Sequence, residues 1–160
     1  MPLPPKNPFK EKQSTYFIEL VNTVKDDFKR NGIDLNFRGY IETIEEYQNL
    51  DYRNKDQVWR VSKSLNSWSE YMSDLKGETK KLFLDAETDK ITQIAIASIK
   101  YDPKNNSNGK RGADMNEDVI KARKTRNSFD AFYEELDNKV EFLKRAFHHA
   151  KMMLKDDIIQ

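Results

Sequence analysis

From Asn54 to Gly77 the chain reads NKDQVWRVSKSLNSWSEYMSDLKG. Within it Val58, Val61, Leu65, Trp68, Met72 and Leu75 follow one another at steps of 3, 4, 3, 4 and 3 residues. Steps of three and four bring side chains to one face of an α-helix. Repeated in strict alternation, they make the seam of a coiled coil. The stripe runs on through Leu82, Ala86, Ile91, Ile94 and Ile99, with a phase slip after Ala86. At its head, Asn54 and Gln57 have the spacing of a capping box, in which each side chain satisfies a free backbone N–H of the other residue. Gly77 costs such a helix some stability without ending it. The spacing predicts one helix over 54–101, about 45 residues long and open to a kink.

Downstream, DPKNNSNGKRG (Asp102 to Gly112) gathers a proline, three asparagines and two glycines, the composition of a loop. A second capping-box pair, Asp114 and Glu117, opens a helix over 114–156. Its apolar residues, Phe129, Phe132, Leu136, Val140, Leu143, Phe147, Ala150 and Leu154, are again nearly heptad. Two long helices joined by one loop fold back on each other. Upstream, Phe17, Leu20, Val21, Val24 and Phe28 predict a helix from Ser14 that Asn31-Gly32 stops. Phe37, Tyr40, Ile41, Ile44 and Tyr47 predict a shorter one. Residues 1–13 hold four of the five prolines and are expected to form an extended arm. IAIASI (Ile94 to Ile99) has mild strand propensity, but its flanks are helical. The expected fold is all-α: a long antiparallel, coiled-coil-like helical hairpin over 51–160, short N-terminal helices over 14–50, and the arm.

Of the 160 residues, 34% are charged and 37% hydrophobic. A compact globule of this length usually needs more apolar surface to offset chain entropy. Helices that bury only a stripe tolerate the balance, and partner subunits supply the rest of the burial. Leu65, Trp68, Met72, Leu136, Val140 and Leu143 are therefore expected between helices, within or between subunits of a homo-oligomer. There is no cysteine, which excludes disulfides and thiolate metal sites and fits a reducing compartment. No apolar run approaches a membrane span, and MPLPPKNPF lacks a signal-peptide core. These features point to the cytoplasm, or the host cytoplasm if the chain is viral, and to no membrane.

No P-loop, dinucleotide-binding glycine pattern or nucleophile elbow is present. His148 and His149, adjacent on a helix, point about 100° apart and cannot share one metal well. Asp85 and Asp89, with Glu78, read as a solvated acidic face. No enzyme, cofactor or metal is expected. The net charge of +1 hides an uneven distribution. Lys100, Lys104, Lys110, Arg111, Lys121, Arg123, Lys124 and Arg126 face only four acids, Asp102, Asp114, Glu117 and Asp118, within the same segment. Such a cluster either follows a phosphate backbone or keeps a helical rod solvated. Trp59, Tyr52 and Tyr101, off the seam, could stack on unpaired bases.

Ser62-Lys63-Ser64-Leu65-Asn66 resembles the Ser-Lys-x-Leu-Asn element of the UvsY-type recombination mediators of T-even phages. Asp118-Val119-Ile120-Lys121 resembles the Asp-Val-Leu-Lys element opening that family's last helix. Val140-Glu141, Leu143-Lys144, Phe147 and Lys151 then fall at or within one residue of similar residues. The resemblance covers about residues 58–154 and leaves the first 50 or so residues without a counterpart, a length near the lower bound for a domain. The family's DNA-binding element, Leu-Lys-Ala-Arg-Leu, meets Ile96-Ala97-Ser98-Ile99-Lys100, which keeps one lysine; the loop and Lys121–Arg126 would have to supply most of any DNA contact. The resemblance implies a recombination and repair accessory protein without cofactor or catalytic residue. Such a protein binds single-stranded DNA as a ring-shaped homo-oligomer and helps load a RecA-like recombinase as single-strand-binding protein is displaced. The alternative is a phage structural or assembly protein, or a protein interaction module, that makes no DNA contact.

Overall fold

The computed structural model describes residues 8–155. They are all-α: α1 (Pro8–Arg30), α2 (Arg38–Gln48), α3 (Lys55–Tyr101), α4 (Asn106–Ala113) and α5 (Glu117–Lys155). Two compact units divide the chain, one taking it up to Ile33 together with Thr79–Tyr133, the other taking Asp34–Glu78 together with Glu134 onward. The two long helices α3 and α5 contribute to both.

In the first unit, α1 lays Phe17, Val24 and Phe28 into the core. Phe28 is fully buried and meets Phe129 and Phe132 of α5 edge-on, with ring centroids 6.3 and 5.6 Å away, while Phe17 stacks on Phe132. Edge-to-face geometry aims the positive ring edge at a negative ring face, a gain beyond area burial. The antiparallel course of α3 and α5 follows from their contacts. Lys80 lies over the Tyr133 ring, and Arg126 pairs with Glu87, so positions on one helix fall as those on the other rise. α1 ends where the sequence says it should. Gly32 takes φ +81°, its N–H bonds the Lys29 carbonyl, and the Ile33 N–H reaches back to the Phe28 carbonyl at 2.9 Å. This left-handed cap favours glycine because a Cβ would crowd the backbone.

In the second unit, the Lys55 ammonium donates to the Met153 carbonyl and Lys76 pairs with Asp137 at 2.6 Å, again antiparallel. Leu65, Met72, Leu136 and Leu143 are fully buried, and Val140 nearly so. α2 packs Tyr40 against Trp68, which also touches Phe37 and Tyr71. Tyr40 sits deep enough that loss of water, helped by the charge of Glu135, raises its hydroxyl pKa to about 12.

Four sequence expectations need correction. The extended arm expected over 1–13 is not found over 8–13, because α1 already begins at Pro8; proline is tolerated there, its missing N–H being one that a first turn leaves unpaired anyway. Residues 1–7 lie outside the described residues. The stretch 102–112 contains α4, started by Asn105, whose side chain accepts from the Ser107 and Asn108 N–H groups. At α3, Asn54 caps the Gln57 N–H, but Gln57 accepts from Asp51 rather than returning a bond to Asn54. At α5 the cap is Asn116, accepting from Asp118 and Val119. Asp114 is turned instead to Arg123. The six seam residues, by contrast, lie between helices as expected, within the chain. Five of the six seam residues named above are buried by the chain itself, and Trp68 is half-buried in the α2 aromatic cluster.

Candidate nucleic-acid interface

All eight basic residues of the segment from Lys100 to Arg126 belong to the first unit. Lys100 stands in the last turn of α3, Lys110 and Arg111 in the last turn of α4, and Lys121 to Arg126 in the first three turns of α5. What draws these three helix ends together is a small apolar cluster. Ala97 of α3, Ala113 of α4 and Val119 of α5 are buried against one another, with Ile94 packed beside them. α4 can approach because it carries glycine where it meets α3. A Cβ on Gly109 would stand 2.6 Å from the Ser98 carbonyl oxygen, and one on Gly112 would enter the Tyr101 ring. Neither contact leaves space for a side chain.

The eight cations are not equivalent. Lys100, Lys104, Lys110, Arg111, Lys121 and Lys124 are exposed. Arg123 is half-buried and pairs with Asp114 at 2.6 Å. Arg126 is half-buried too; its Nε donates to Glu87 at 2.8 Å, its other end lies near Asp130, and its guanidinium lies over the Phe83 ring at 4.9 Å. Lys90 holds the other oxygen of Glu87. These two hydrogen bonds, Lys90 first and Arg126 second, keep the Glu87 carboxyl below its usual pKa. Arg123 and Arg126, expected among the DNA contacts, are therefore committed to intramolecular pairs. The heptad register of an antiparallel hairpin is the signal that would have found the Glu87–Arg126 pair.

Lys121 and Lys124 line an open groove of about 390 Å³ whose other wall is Thr23 and Asp27 of α1. Thr125 and Ser128 continue its floor. Thr23 donates to the Glu19 carbonyl and Ser128 to the Lys124 carbonyl. That leaves the two ammonium groups as the strongest donors facing the groove. Asp27 is drawn toward Arg30 at 3.1 Å.

The aromatic candidates divide between the units. Tyr101 is exposed in the first, beside Gly112. Trp59 and Tyr52 are exposed in the second, each with a cation over its ring: Lys63 at 4.7 Å and Arg53 at 5.7 Å. His149 shares a 3.0 Å hydrogen bond with the Tyr47 hydroxyl. Among the described residues no group of three or more His, Asp and Glu could hold a metal ion, and no helix is long and apolar enough to cross a membrane. No protein-family model, no curated protein and no solved structure matches this chain.

Proposed function

We propose that the chain is a single-stranded-DNA-binding accessory protein of recombination and repair, of the UvsY type, which acts as an oligomer and helps load a RecA-like recombinase in place of single-strand-binding protein. One observation carries the DNA part of this reading: Lys100, Lys104, Lys110, Arg111, Lys121 and Lys124 are all solvent-exposed within one compact unit. Flexible ammonium and guanidinium groups without a fixed pocket suit several loose phosphate contacts, independent of base sequence and weakened by salt. The recombinase and the single-strand-binding protein enter through the family resemblance alone.

Fluorescence anisotropy of a labelled single-stranded oligonucleotide at two salt concentrations tests it. Binding should weaken as salt rises. Replacing Lys110, Arg111, Lys121 and Lys124 together by alanine should leave helicity intact and weaken binding at least about tenfold at low salt, as loss of several phosphate contacts requires. A second reading, an assembly or interaction protein without DNA contact, is favoured by the exposed apolar side chains of α3: Leu84, Ile91, Ile96 and Ile99. It predicts no salt-dependent binding in the same assay.

A further inference from the structure

Along the C-terminal half of α3, Leu84, Thr88, Ile91, Ala95 and Ile99 follow at steps of 4, 3, 4 and 4 residues, so they lie on one helix face. That face is open. Leu84 is 52%, Ile91 58% and Ile99 67% exposed, and Thr88 and Ala95 are exposed with them. Its two threonines are not polar obstacles. Thr88 donates its hydroxyl to the Leu84 carbonyl at 3.1 Å, and the neighbouring Thr92 donates to the Thr88 carbonyl at 3.0 Å. Both donors are satisfied inside the helix, so the face can be taken out of water without orphaning a polar hydrogen. A contiguous apolar stripe of this kind marks an interaction surface rather than scattered surface hydrophobics.

The order of residues along the stripe indicates its occupant. Reversed end for end about Ile91, the stripe matches itself to within one residue: Leu84 meets Ile99, Thr88 meets Ala95, and Ile91 meets its own copy. Each bulky residue meets another bulky one, and each small one meets another small one. The flank obeys the same symmetry. Asp85 lies at one end and Lys100 at the other, so reversal brings opposite charges within about 4.5 Å of level along the axis, at 1.5 Å rise per residue, a gap a lysine side chain can span. A parallel pairing would instead stack Asp85 on Asp85 and Lys100 on Lys100. Self-complementarity under reversal is the requirement of an isologous two-fold interface.

We propose that this face of α3 binds a second copy of the chain, antiparallel, with the two-fold axis passing at Ile91. The proposal rests on the assembly part of the function argued above and is independent of its DNA part. The chain has no cysteine, so a single introduced thiol is a clean probe in the full-length protein. Ile91→Cys should cross-link to itself with a short bismaleimide. Leu84→Cys alone should not, because its counterpart lies at the far end of the stripe; the double variant Leu84→Cys/Ile99→Cys should. Ile91→Glu, at an exposed position that leaves the core untouched, should raise the dimer dissociation constant at least tenfold by light scattering, with helicity unchanged. Efficient cross-linking of Leu84→Cys alone would overturn the antiparallel register. If the parent exceeds 18.9 kDa and Ile91→Cys does not cross-link, this face is wrong while assembly stands. If the parent stays at 18.9 kDa at micromolar concentration, the pairing and the assembly fall together. The oligonucleotide assay reads the DNA function separately in each case.

Discussion

Arg126 shows why counting cations overstates a binding surface. Its charge is met by Glu87 and its face by Phe83, so it has little left for a phosphate. Lys124, two positions earlier, is exposed and faces a groove. Arg126→Ala should therefore lower the thermal midpoint yet leave oligonucleotide affinity within about twofold, because a cation already neutralised displaces few counterions. Lys124→Ala should do the reverse, and anisotropy beside a melting curve separates the two. Glu87 supplies a pH test. Its folded pKa is depressed, so it contributes stability above its unfolded value that is lost as pH falls through the folded one. The stability advantage of the parent over Glu87→Gln should be full at neutral pH and fade below about 4.5. An advantage unchanged down to strongly acid pH would show that the Lys90 and Arg126 bonds add nothing.

Two glycines with opposite surroundings test the account of the helices. Gly77 of α3 has open space where a side chain would go, so Gly77→Ala should stabilise by roughly 0.5–1 kcal/mol. Gly109 of α4 is pressed against the Ser98 carbonyl. There alanine must lift α4 from α3, and the same substitution should destabilise despite better helix propensity. Denaturant melts of the pair should show opposite signs. Phe28→Ala, which removes a fully buried ring from between Phe129 and Phe132, should cost about 3–5 kcal/mol. The long helices were legible because their heptad stripes repeat over many turns, and the Asn31-Gly32 stop because its chemistry is local. α4 was hidden because asparagine and glycine usually signal a loop. Here Asn105 serves as a cap, and the glycines permit a backbone contact that has no signature in spacing. For the site, the basic cluster could be read from composition. The neutralisation of Arg123 and Arg126 could not, because Asp114 has the spacing of a helix cap and Glu87 lies 39 residues from its partner.

For the molecule as a whole, the number of free cations sets the strength of the salt effect. With six exposed basic groups in the segment from Lys100 to Arg126, a strand held by that segment should give a slope of log affinity against log salt no steeper than about −4, and alanine at both Lys121 and Lys124 should flatten it by roughly 1.4. A slope unmoved by that change would place the strand elsewhere. The division into two units also has an optical consequence. Both tryptophans, Trp59 and Trp68, belong to the second unit, while the six exposed cations belong to the first. The intrinsic emission of the protein therefore reports on one unit only. Its spectrum combines a solvated indole at Trp59 with a partly shielded one at Trp68, which a collisional quencher resolves. A strand that touches neither indole leaves both components unchanged, so a bound oligonucleotide that dims the red-shifted component has reached Trp59.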